Sequence, residues 1–490
     1  MHFFHLANNI FLSRGWWSGF GTHTEIMRGT KGKNQLQRPI SRVLDPSPSH
    51  HPSPILPPNV KTLLLLAGRS KRFWPLQEKT LFPVAGKTLL EHQISALKAG
   101  GCKEIILVSG EHNMKAAHKM FPGLKIIKQE DPEGGMQAAL LSALPSLKKE
   151  AVLIVGGNDV VEPKAFRELR NAAERPEVQG AILAKKVKEY FPGGYLVTKA
   201  SRVLSVQEKP GVGNEPSDLV NIVAHLHNDA SVLLKAVQKA TAKKDDGYEV
   251  ALTALMKEYV YRVVPYNGLW QPVKYPWHLL SLLPVFLGEI TKSVISKSAS
   301  IHKTAVIEGP VWIGEHVKVL PHATIVGPCR IDAGTVIGTG ALVRGSSVGK
   351  KCVIGFGSEV KGSIVGDNVW AHMTYIGDSV VGHNVSFGAR ATTGNFRLDE
   401  GEIQSDVKGE KIGTGLAKFG AVIGDHCRIG ISVGINPGIK IGSGSFIGGG
   451  TFLGDDIPEA SFVTTKNGVV HIRPNKVEPP NAEGREKYRH

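Results

Sequence analysis

Cysteine is scarce in this chain of 490 residues, which contains only four: Cys102, Cys329, Cys352 and Cys427. No two of them form a CxxC pair, so the sequence indicates neither a zinc site nor a disulfide framework. Long apolar runs are lacking as well. No stretch of about 18 apolar residues occurs, and the sequence therefore predicts no membrane span. We expect a protein of a reducing, cytoplasmic compartment.

Basic residues outnumber acidic ones, and the formal net charge is +16. The cations are dispersed along the chain, and no nucleic-acid-binding motif accompanies them. Phosphorylated small molecules explain the excess charge more simply than a nucleic acid does. We therefore expect small anionic substrates, and neither nucleic acid nor membrane as a partner.

The two ends of the chain have compositions that do not favour a packed core. Residues 1–59 contain few aliphatic runs and a Pro-Ser-rich stretch, and residues 466–490 are polar and contain proline. Such segments bury too little apolar surface to offset the entropy of folding. The sequence predicts a disordered tail over 1–59 and a second tail over 466–490.

A six-residue repeat dominates the C-terminal half. Aliphatic residues recur at Ile301, Ile307, Ile313, Val319, Ile325, Ile331, Ile337 and Val343, and again at Ile423, Ile429, Ile435, Ile441, Ile447 and Leu453. Neither a helix nor an ordinary strand keeps this period, which indicates a solenoid of small stacked units. The pattern resembles the hexapeptide repeat of left-handed parallel β-helices, in which three hexads form one coil. The resemblance implies such a domain over 297–465 and a homotrimer with active sites between neighbouring columns.

The middle of the chain predicts an α/β domain over 60–282, followed by a helical linker over 283–296. Short apolar runs that read as buried strands alternate with helical stretches such as 89–99. This alternation is typical of a Rossmann-like, mostly parallel sheet with helices on both faces. Loops at the carboxyl ends of the strands carry the ligand in such domains.

The first of these loops follows the first predicted strand, with the sequence LAGRSKRFWPL over residues 66–76 and Lys79 shortly after it. A glycine turn lets backbone N–H groups approach phosphates, and nearby cations neutralise them. With its surroundings the loop resembles the LAGGxGxR signature of sugar-1-phosphate nucleotidyltransferases. The resemblance implies that Ala67 and Gly68 bind the nucleotide, and that Arg72 and Lys79 act catalytically on the triphosphate.

Three further segments follow in the order of that family. QEDPEGGMQAAL at 129–140 resembles the base-recognition segment and nominates Gly135 for nucleotide binding. VGGNDV at 155–160 resembles the element whose aspartate holds Mg²⁺, which nominates Asp159. The Glu208-Lys209-Pro210 triplet resembles the sugar-contacting EKP, and Asn221 follows it. The resemblance thus implies Mg²⁺ as cofactor, and sugar-phosphate binding by Glu208, Lys209 and Asn221.

The chain also departs from the family pattern. Ser70 replaces the second glycine of the phosphate loop, and Met136 stands where threonine is usual. The segment LWQPVKYPW at 269–277 aligns with the family's YWxDxGxPWDLL, so that Pro272 occupies the position of the second Mg²⁺ ligand. Metal binding would then depend on Asp159, phosphates and water, with Asn158 or Asp218 as candidate helpers.

The repeat is interrupted between about Gly362 and Gly420, and the interrupted stretch carries its own motifs. In order and spacing, the segments AHMTYIGD at 371–378, FGA at 387–389, GNFRLD at 394–399 and AKFG at 417–420 resemble the acetyltransferase half of a known family. That family is the bifunctional UDP-N-acetylglucosamine pyrophosphorylase/glucosamine-1-phosphate N-acetyltransferases, especially the archaeal type. The resemblance implies acetyl-CoA as co-substrate and His372 as general base, a task that suits a neutral imidazole. It further implies contacts with the amino-sugar phosphate or coenzyme A from Lys361, Tyr375, Ala389, Asn395 and Lys418. The family places another lysine where this chain has Gly401 and Gln404, and Lys408 and Lys411 are the candidates to replace it from the long loop.

Three functions remain open on the sequence. The first is a bifunctional enzyme that acetylates glucosamine-1-phosphate and then transfers a uridylyl group to the product. The second is a nucleotidyltransferase alone, for example of the thymidylyl- or guanylyltransferase type, with a structural β-helix. The third is a non-catalytic sugar-nucleotide sensor or scaffold. The cations and acids of the first domain favour catalysis over the sensor, and His372 with Tyr375 and Asn395 favours the bifunctional enzyme.

Overall fold

The computed structural model describes residues 60–241 and 246–486. The predicted tail over 1–59 lies outside the described residues. Among the described residues, no helix is long and apolar enough to cross a bilayer. All four cysteines are buried and free, and none forms a disulfide.

The first domain alternates strands and helices along the chain. Its strands are β1 Val60–Leu65, β2 Pro83–Val84, β3 Lys87–Thr88, β4 Glu104–Ser109, β5 Lys125–Lys128, β6 Ala151–Gly156, β7 Asp159–Val161, β8 Val178–Lys186, β9 Gly194–Lys199, β10 Arg202–Glu208, β11 Leu219–His227, β12 Val260–Pro265 and β13 Trp270–Pro272. Its helices are α1 Leu89–Ala99, α2 Glu111–Met120, α3 Gly135–Ala143, α4 Pro163–Ala173, α5 Ala230–Lys239, α6 Gly247–Glu258 and α7 His278–Leu287.

Nine strands form one twisted sheet in the order β5-β4-β1-β6-β11-β8-β12-β10-β9. The strands from β5 to β6 are parallel, and β11 is antiparallel to both of its neighbours β6 and β8. Apolar side chains of α1 and α4 cover one face, and those of α3, α5 and α6 cover the other. The carboxyl ends of β1 and β6 therefore meet at one edge, where the candidate loops begin.

Helix α1 shows how local sequence sets these elements. Thr88 caps its amino terminus: the Glu91 amide donates to Thr88 Oγ1 over 3.2 Å, and the Thr88 amide donates to Glu91 Oε2 over 2.7 Å. This reciprocal capping box satisfies two amides that would otherwise lack partners. Leu90, Ile94 and Leu97 recur at helical spacing and are fully buried. The helix spans the residues predicted from the sequence.

The second domain is a parallel solenoid of very short strands. In chain order they are β14 Val294–Ile295, β15 Ser300–Ile301, β16 Val306–Glu308, β17 Val311–Ile313, β18 Lys318–Val319, β19 Thr324–Val326, β20 Cys329–Ile331, β21 Val336–Ile337, β22 Leu342–Arg344, β23 Ser347–Val348, β24 Val353–Ile354, β25 Glu359–Lys361, β26 Ile364–Val365, β27 Trp370–Ala371, β28 Tyr375–Gly377, β29 Val380–Val381, β30 Ser386–Phe387, β31 Thr392–Thr393, β32 Gln404–Val407, β33 Glu410–Gly413, β34 Val422–Ile423, β35 Arg428–Ile429, β36 Gly434–Ile435, β37 Lys440–Ile441, β38 Phe446–Ile447, β39 Phe452–Leu453, β40 Ser461–Lys466 and β41 Val469–Pro474.

Consecutive strands of the solenoid belong in turn to three sheets. The first sheet begins at β14, the second at β15 and the third at β16, and each continues with the corresponding strand of the next coil. The aliphatic residues of the six-residue repeat point into the prism that the sheets enclose, and they form one continuous core. The hexapeptide fold predicted from the sequence is confirmed.

The predicted interruption has a different structural form. Ile325 pairs with Val343 in a full coil, but Val360 pairs with Ile376, two residues fewer along the chain. The solenoid therefore continues through shortened coils, which moves the aliphatic residues out of phase without breaking the stack. The true insertion lies between β31 and β34, where the chain leaves the coil and forms the hairpin of β32 and β33.

Two segments differ from the expected boundaries. The predicted linker helix over 283–296 is instead the end of α7, which stops at Leu287, and the solenoid already begins at β14. The predicted tail from residue 466 contains strand β41, which pairs with β40, and the short helix α8 Ala482–Arg485. Arg485 anchors this segment, because its guanidinium donates to Asn384 Oδ1 over 2.6 Å and is buried against the coil.

The first domain packs directly on the first sheet of the solenoid. Apolar residues of α7, among them Leu283 and Phe286, join the outward-facing Val380 and Val422 in one buried cluster. The insertion contributes Phe419, whose ring lies 5.9 Å from that of Trp277. The two domains therefore share a core.

Candidate active sites

The loop after β1 places its glycine in open space. Gly68 is exposed, and no atom lies within 4 Å of the position that a β-carbon would occupy there. The neighbouring Ala67 is buried. A short 3₁₀ turn over Lys71–Phe73 follows, which is anchored by the buried Phe73 and leaves Arg72 exposed. The loop thus has the room and the cation that a phosphate group would need.

Lys79 is a buried lysine, only 7% exposed, and it donates to Asn158 Oδ1. Burial lowers the pKa of Lys79 to about 8, a shift that the negative charges of Glu78 and Asp159 partly oppose. The same contact engages the amide oxygen of Asn158, which the sequence had suggested as a helper for a metal ion. Asp218, the other suggested helper, forms an ion pair with Lys186 over 2.7 Å.

Asp159 follows the sharp turn that ends β6. Burial raises the pKa of its carboxyl group, whereas the hydrogen bond from Trp270 Nε1 to Oδ1 over 2.7 Å and the charges of Lys274 and Lys79 lower it. Pro272 lies directly opposite Asp159 in the antiparallel pair of β7 and β13. The register therefore places a residue without side-chain oxygens where a second acid would stand.

The donors at Asp159 fit a magnesium ion only with help from substrate. Within the described ranges, no group of three or more His, Cys, Asp or Glu side chains could hold a metal ion. Asp159 offers Oδ2 while Trp270 occupies Oδ1. Mg²⁺ in proteins is often held by one or two carboxylates, with phosphate and water completing the octahedron. Asp159 is thus suited to act as the single protein ligand of such an ion.

A cleft of about 790 Å³ opens beside the phosphate loop. Its lining includes Ser70 from the loop and Gln129, which is only 4% exposed and donates through Nε2 to the carbonyls of Asp131 and Gly135. Gly135 has a φ of +56°, a conformation that favours glycine, and it begins α3. The predicted base-recognition segment therefore forms a fixed wall near the loop.

The turn that ends β10 carries an adjacent acid and base. Lys209 Nζ lies 3.0 Å from Glu208 Oε1, and the Lys209 amide donates to the carbonyl of Gly193 over 3.1 Å. The backbone at Lys209 is in the left-handed region, with a φ of +44°. This turn presents the two side chains together at the end of β10.

Asn221 lies at the head of a buried chain of hydrogen bonds. Its Oδ1 is 2.7 Å from His225 Nε2, His225 Nδ1 is 2.8 Å from the Tyr248 hydroxyl, and that hydroxyl is 3.2 Å from His227 Nε2. The chain ends at Tyr261, whose hydroxyl lies 2.9 Å from His227 Nδ1. Burial lowers the pKa of both histidines to about 3. Two neutral rings protonated at Nε2 satisfy every contact, and the amide nitrogen of Asn221 remains available to a ligand.

The second group of candidates lies on the third sheet of the solenoid. Asp378 Oδ2 accepts from Lys361 Nζ over 2.7 Å and from Asn395 Nδ2 over 2.5 Å. Tyr375 stands in β28 beside this group, and burial, with Asp378 and Glu359 nearby, raises its pKa. Asn395 comes from the insertion, so two separate parts of the chain form the cluster.

His372 occupies a corner of the coil that glycine fills elsewhere. In the neighbouring coils, Gly355 and Gly388 follow the last residue of the second-sheet strand, and an added β-carbon would lie 2.6 Å and 2.7 Å from backbone atoms of the next coil. At the same corner the chain places an exposed histidine, whose amide donates to the carbonyl of Phe387. A side chain at this crowded position is therefore a departure from the repeat, and it stands next to β28.

The remaining candidates surround this corner. Ala389 lies one coil further on, where the amide of Arg390 donates to the Met373 carbonyl over 3.0 Å. Lys418 returns from the insertion and forms a bridge with Phe396, with its ammonium 5.5 Å from that ring. The structure thus gathers the predicted acetyltransferase residues on one edge and one face of the prism.

Sequence reasoning missed four residues that the geometry brings into these sites. Trp270 and Lys274 lie in the segment 269–277, in which only Pro272 was interpreted from the sequence. Asp378 belongs to a motif in which only the histidine and tyrosine were assigned. The role of His225 depends on its contact with Asn221, and its spacing of four residues along β11 is the one signal that could have indicated it.

Comparison with known proteins agrees with the two domains. A MobA-like NTP transferase domain matches residues 62–301, and a bacterial transferase hexapeptide (six repeats) matches residues 420–455. The chain is 30% identical, over 78% of its length and 94% of the relative, to a bifunctional sugar-1-phosphate nucleotidylyltransferase/acetyltransferase of Sulfurisphaera tokodaii. It is also 30% identical, over 83% of its length and 98% of the relative, to the bifunctional protein GlmU of Methanococcus aeolicus.

A crystal structure of apo UDP-glucose pyrophosphorylase aligns with 47% of this chain and 99% of that chain, with 14% identity and a TM-score of 0.41. The sequence relatives, by contrast, extend across both domains and cover nearly their own full length. This chain belongs to the family of bifunctional sugar-1-phosphate nucleotidylyltransferase/acetyltransferases.

Proposed function

We propose that this protein acetylates glucosamine-1-phosphate in its solenoid and transfers a nucleotidyl group to the acetylated sugar phosphate in its first domain, forming UDP-N-acetylglucosamine. The observation that supports this proposal most strongly is that Arg72, Asp159 and the Glu208–Lys209 pair all lie within electrostatic reach of Lys274, while His372 occupies a separate corner of the solenoid next to β28.

In the first domain, a phosphate oxygen of the sugar-1-phosphate attacks the α-phosphorus of the nucleoside triphosphate. A new P–O bond forms, the bond between the α-phosphorus and the bridging oxygen breaks, and the electron pair leaves with pyrophosphate. Catalysis of this step is largely a matter of positioning and charge. Arg72 and Lys79 bind the triphosphate beside Ala67 and Gly68, and Asn221 with Glu208 and Lys209 binds the sugar phosphate.

Magnesium completes the charge balance of this step when it is bound. Asp159 would hold the ion through a carboxylate oxygen, and the ion would neutralise charge on the substrate phosphates. The chain's own contribution is to orient Asp159 and to offset part of the cost of burying its charge. The Trp270 indole fixes one carboxylate oxygen, and the charges of Lys274 and Lys79 favour the ionised form.

In the solenoid, the amine nitrogen of the sugar attacks the thioester carbonyl of acetyl-CoA. A C–N bond forms, the amine proton passes to His372, the C–S bond breaks, and coenzyme A leaves as the thiol after protonation. Lys361, Tyr375 and Asn395 bind the sugar phosphate. Ala389 and Lys418 lie along coenzyme A.

A homotrimer supports this second site. Three residues that each follow the corner position are exposed apolar side chains: Phe356 is 65% exposed, Met373 47% and Ile431 64%. Together they form an apolar stripe along the edge that carries His372. Burial of such a stripe against a neighbouring copy is favourable. The four free, buried cysteines are in keeping with a cytoplasmic location.

One experiment tests both activities. Purified protein is incubated with Mg²⁺, a panel of nucleoside triphosphates and sugar-1-phosphates, and separately with acetyl-CoA and glucosamine-1-phosphate. Pyrophosphate and free thiol are measured. Asp159→Asn is expected to lower pyrophosphate release by about 100-fold and to leave thiol release unchanged, because the charge that orients the metal is lost.

His372→Ala is expected to give the opposite pattern, with loss of thiol release and unchanged pyrophosphate release. His316→Ala, at another exposed corner of the solenoid, is the matched control and should change neither. A wild-type protein that releases pyrophosphate but no thiol from any amino-sugar phosphate would be a nucleotidyltransferase alone. A protein that releases neither product would contradict both activities.

A further inference from the structure

Lys274 stands at the centre of the nucleotidyl-transfer site, although no sequence motif assigns it a role. It lies two residues beyond Pro272, while the intervening Val273 is fully buried and donates its amide to the Asn158 carbonyl over 2.7 Å. Because side chains alternate along an extended chain, Pro272 and Lys274 face the same side, toward Asp159.

The backbone around Lys274 is held firmly. His278 Nδ1 lies 2.7 Å from the Pro272 carbonyl oxygen and 3.1 Å from the Lys274 amide nitrogen, and the neutral tautomer protonated at Nδ1 donates to that carbonyl and holds the turn. Burial lowers the pKa of His278 to about 4, and the ring is therefore neutral near pH 7. The lysine thus has a defined starting direction into the cleft.

The ammonium of Lys274 reaches the segment 191–193, which also holds the backbone of Lys209. Its Nζ donates to the Pro192 carbonyl over 3.0 Å and lies 4.3 Å from the centre of the Phe191 ring. The next residue of that segment, Gly193, accepts the Lys209 amide. An ammonium has three donors, and the carbonyl uses one of them. Donors remain for an anion placed between Asp159 and Lys209.

The charges around Lys274 come from three of the motifs of the first domain: the phosphate loop, the segment at 155–160 and the Glu208-Lys209-Pro210 triplet. Arg72, Asp159, Lys209 and Glu208 each influence its protonation, and burial lowers its pKa to about 8. The reacting groups of the proposed reaction are both phosphates, which repel one another. With Pro272 in place of a second acid, the chain supplies one carboxylate for a metal ion and an additional fixed cation.

We propose that Lys274 is a catalytic residue that binds the phosphate of the sugar-1-phosphate during nucleotidyl transfer and supplies positive charge that a second metal-binding acid would otherwise recruit. This assignment depends on the nucleotidyl transfer proposed above. Lys274 and Lys209 hold the incoming phosphate from two sides, while Arg72 and Lys79 hold the triphosphate. The attacking oxygen then approaches the α-phosphorus with its charge already neutralised.

Steady-state kinetics of Lys274→Gln test the assignment. We expect kcat to fall by about 10- to 100-fold and KM for the sugar-1-phosphate to rise, with a smaller change in KM for the nucleoside triphosphate, because one charged hydrogen bond to one substrate is lost. Lys274→Arg keeps the charge and should recover part of the activity. Lys199→Gln, at an exposed turn at the far end of β9, is the matched control.

Chemical labelling of the wild-type protein gives a second readout that needs no variant to fold. Sugar-1-phosphate with Mg²⁺ should protect Lys274, but not Lys199, from an amine-reactive reagent. Mass spectrometry of the peptides measures the labelling of each lysine. If the kinetic constants of Lys274→Gln lie within twofold of those of Lys199→Gln, the assignment of Lys274 is overturned. The same holds if substrate changes the labelling of both lysines equally. Either result would leave the proposed nucleotidyl transfer standing. A wild-type protein that releases no pyrophosphate would overturn the proposed transfer together with the assignment of Lys274.

Discussion

Lys79 illustrates how burial sets the working range of a single side chain. An ammonium surrounded by protein loses hydration, which favours its neutral form. The pKa of Lys79 falls to about 8 for this reason, and that of Lys274 falls to a similar value. Both side chains carry a positive charge near pH 7. Both lose that charge at pH values at which an exposed lysine would still be fully charged.

The pH dependence of nucleotidyl transfer follows from these two values. Above pH 8 the free enzyme loses the positive charge of Lys79 and Lys274, so we expect kcat/KM to fall as pH rises, by up to about two powers of ten per pH unit. Lys79→Arg retains one cation and should make the fall shallower. Initial rates of pyrophosphate release between pH 6.5 and 10 measure the slope. A flat profile up to pH 10 would contradict the assignment of both lysines.

The sequence could indicate a site residue when that residue belongs to a local motif, and not when its role depends on distant contacts. Lys79 and Asp159 follow strands in a recognisable order, so their proximity could be inferred from the parallel sheet. Lys274 could not be, because its importance depends on the antiparallel register that sets Pro272 against Asp159. The hydrogen bond that Asp378 accepts from Asn395 likewise depends on the insertion, which returns Asn395 to the coil.

At the scale of elements, strand β11 couples the sugar side of the cleft to the core. The hydrogen-bonded chain from Asn221 through Tyr248 to His227 joins β11 to α6. Both histidines and the tyrosine are almost completely buried. Buried polar groups of this kind are tolerated because all of them have partners, and the loss of one leaves others unpaired.

Tyr248→Phe should therefore weaken both stability and binding. Removal of the hydroxyl leaves one nitrogen of each histidine without its partner, and we expect a loss of about 2–4 kcal/mol in the free energy of unfolding of the first domain. KM for the sugar-1-phosphate should also rise, because Asn221 loses its fixed orientation. Urea denaturation and initial rates measure the two effects. Tyr259→Phe, at the end of the same helix, is the control, and equal stability of the two variants would contradict the role of the chain.

Elements with a strong local pattern were predicted well, and those that depend on distant contacts were not. The helix over 89–99 has a capping residue, a first-turn acid and apolar residues at helical spacing, and these are local features. The shortened coils have aliphatic residues that are no longer six residues apart. The sequence pattern therefore did not predict that the solenoid continues through these coils. Strand β41 was not predicted from the sequence, because its side chains are exposed. Its pairing with β40 in the structure identifies it as a strand.

At the scale of the whole molecule, the insertion links the two domains. Ile403, Ile412 and Phe419 pack with helix α7, while Asn395 and Lys418 belong to the cluster on the third sheet. Lys408 and Lys411 belong to the same hairpin, whose apolar side chains are directed toward the first domain. One excursion of the chain therefore contributes to the interdomain core and to the acetyl-transfer site.

Phe419→Ala should loosen this junction. The side chain is fully buried against Trp277, and its removal is expected to cost about 3–5 kcal/mol. Calorimetry should then show an earlier transition, separate from that of the solenoid, and thiol release should decline because Lys418 adjoins the altered residue. Leu398→Ala changes a fully exposed residue of the same insertion and should leave the melting profile unchanged. A single unshifted transition for Phe419→Ala would show that this contact does not hold the domains together.

The apolar stripe at the corner gives a test of assembly. Ile431→Lys places a charge in the surface proposed to meet a neighbouring copy, and we expect light scattering to show a smaller particle together with loss of thiol release. Pyrophosphate release should persist, because the first domain does not contribute to that edge. Val212→Lys, at an exposed residue of the first domain, is the control. An unchanged mass for Ile431→Lys would exclude the stripe from the interface.

The prism that separates the two sites is solid. The first domain covers the first sheet, His372 stands on the opposite edge between the second and third sheets, and the interior is filled with aliphatic side chains. In the part of one copy that the structure describes, the filled prism stands between the two sites. We therefore expect the acetylated sugar phosphate to be released into solution before it is used, so unlabelled N-acetylglucosamine-1-phosphate added to a coupled reaction should dilute an isotopic label from acetyl-CoA in full proportion to its concentration.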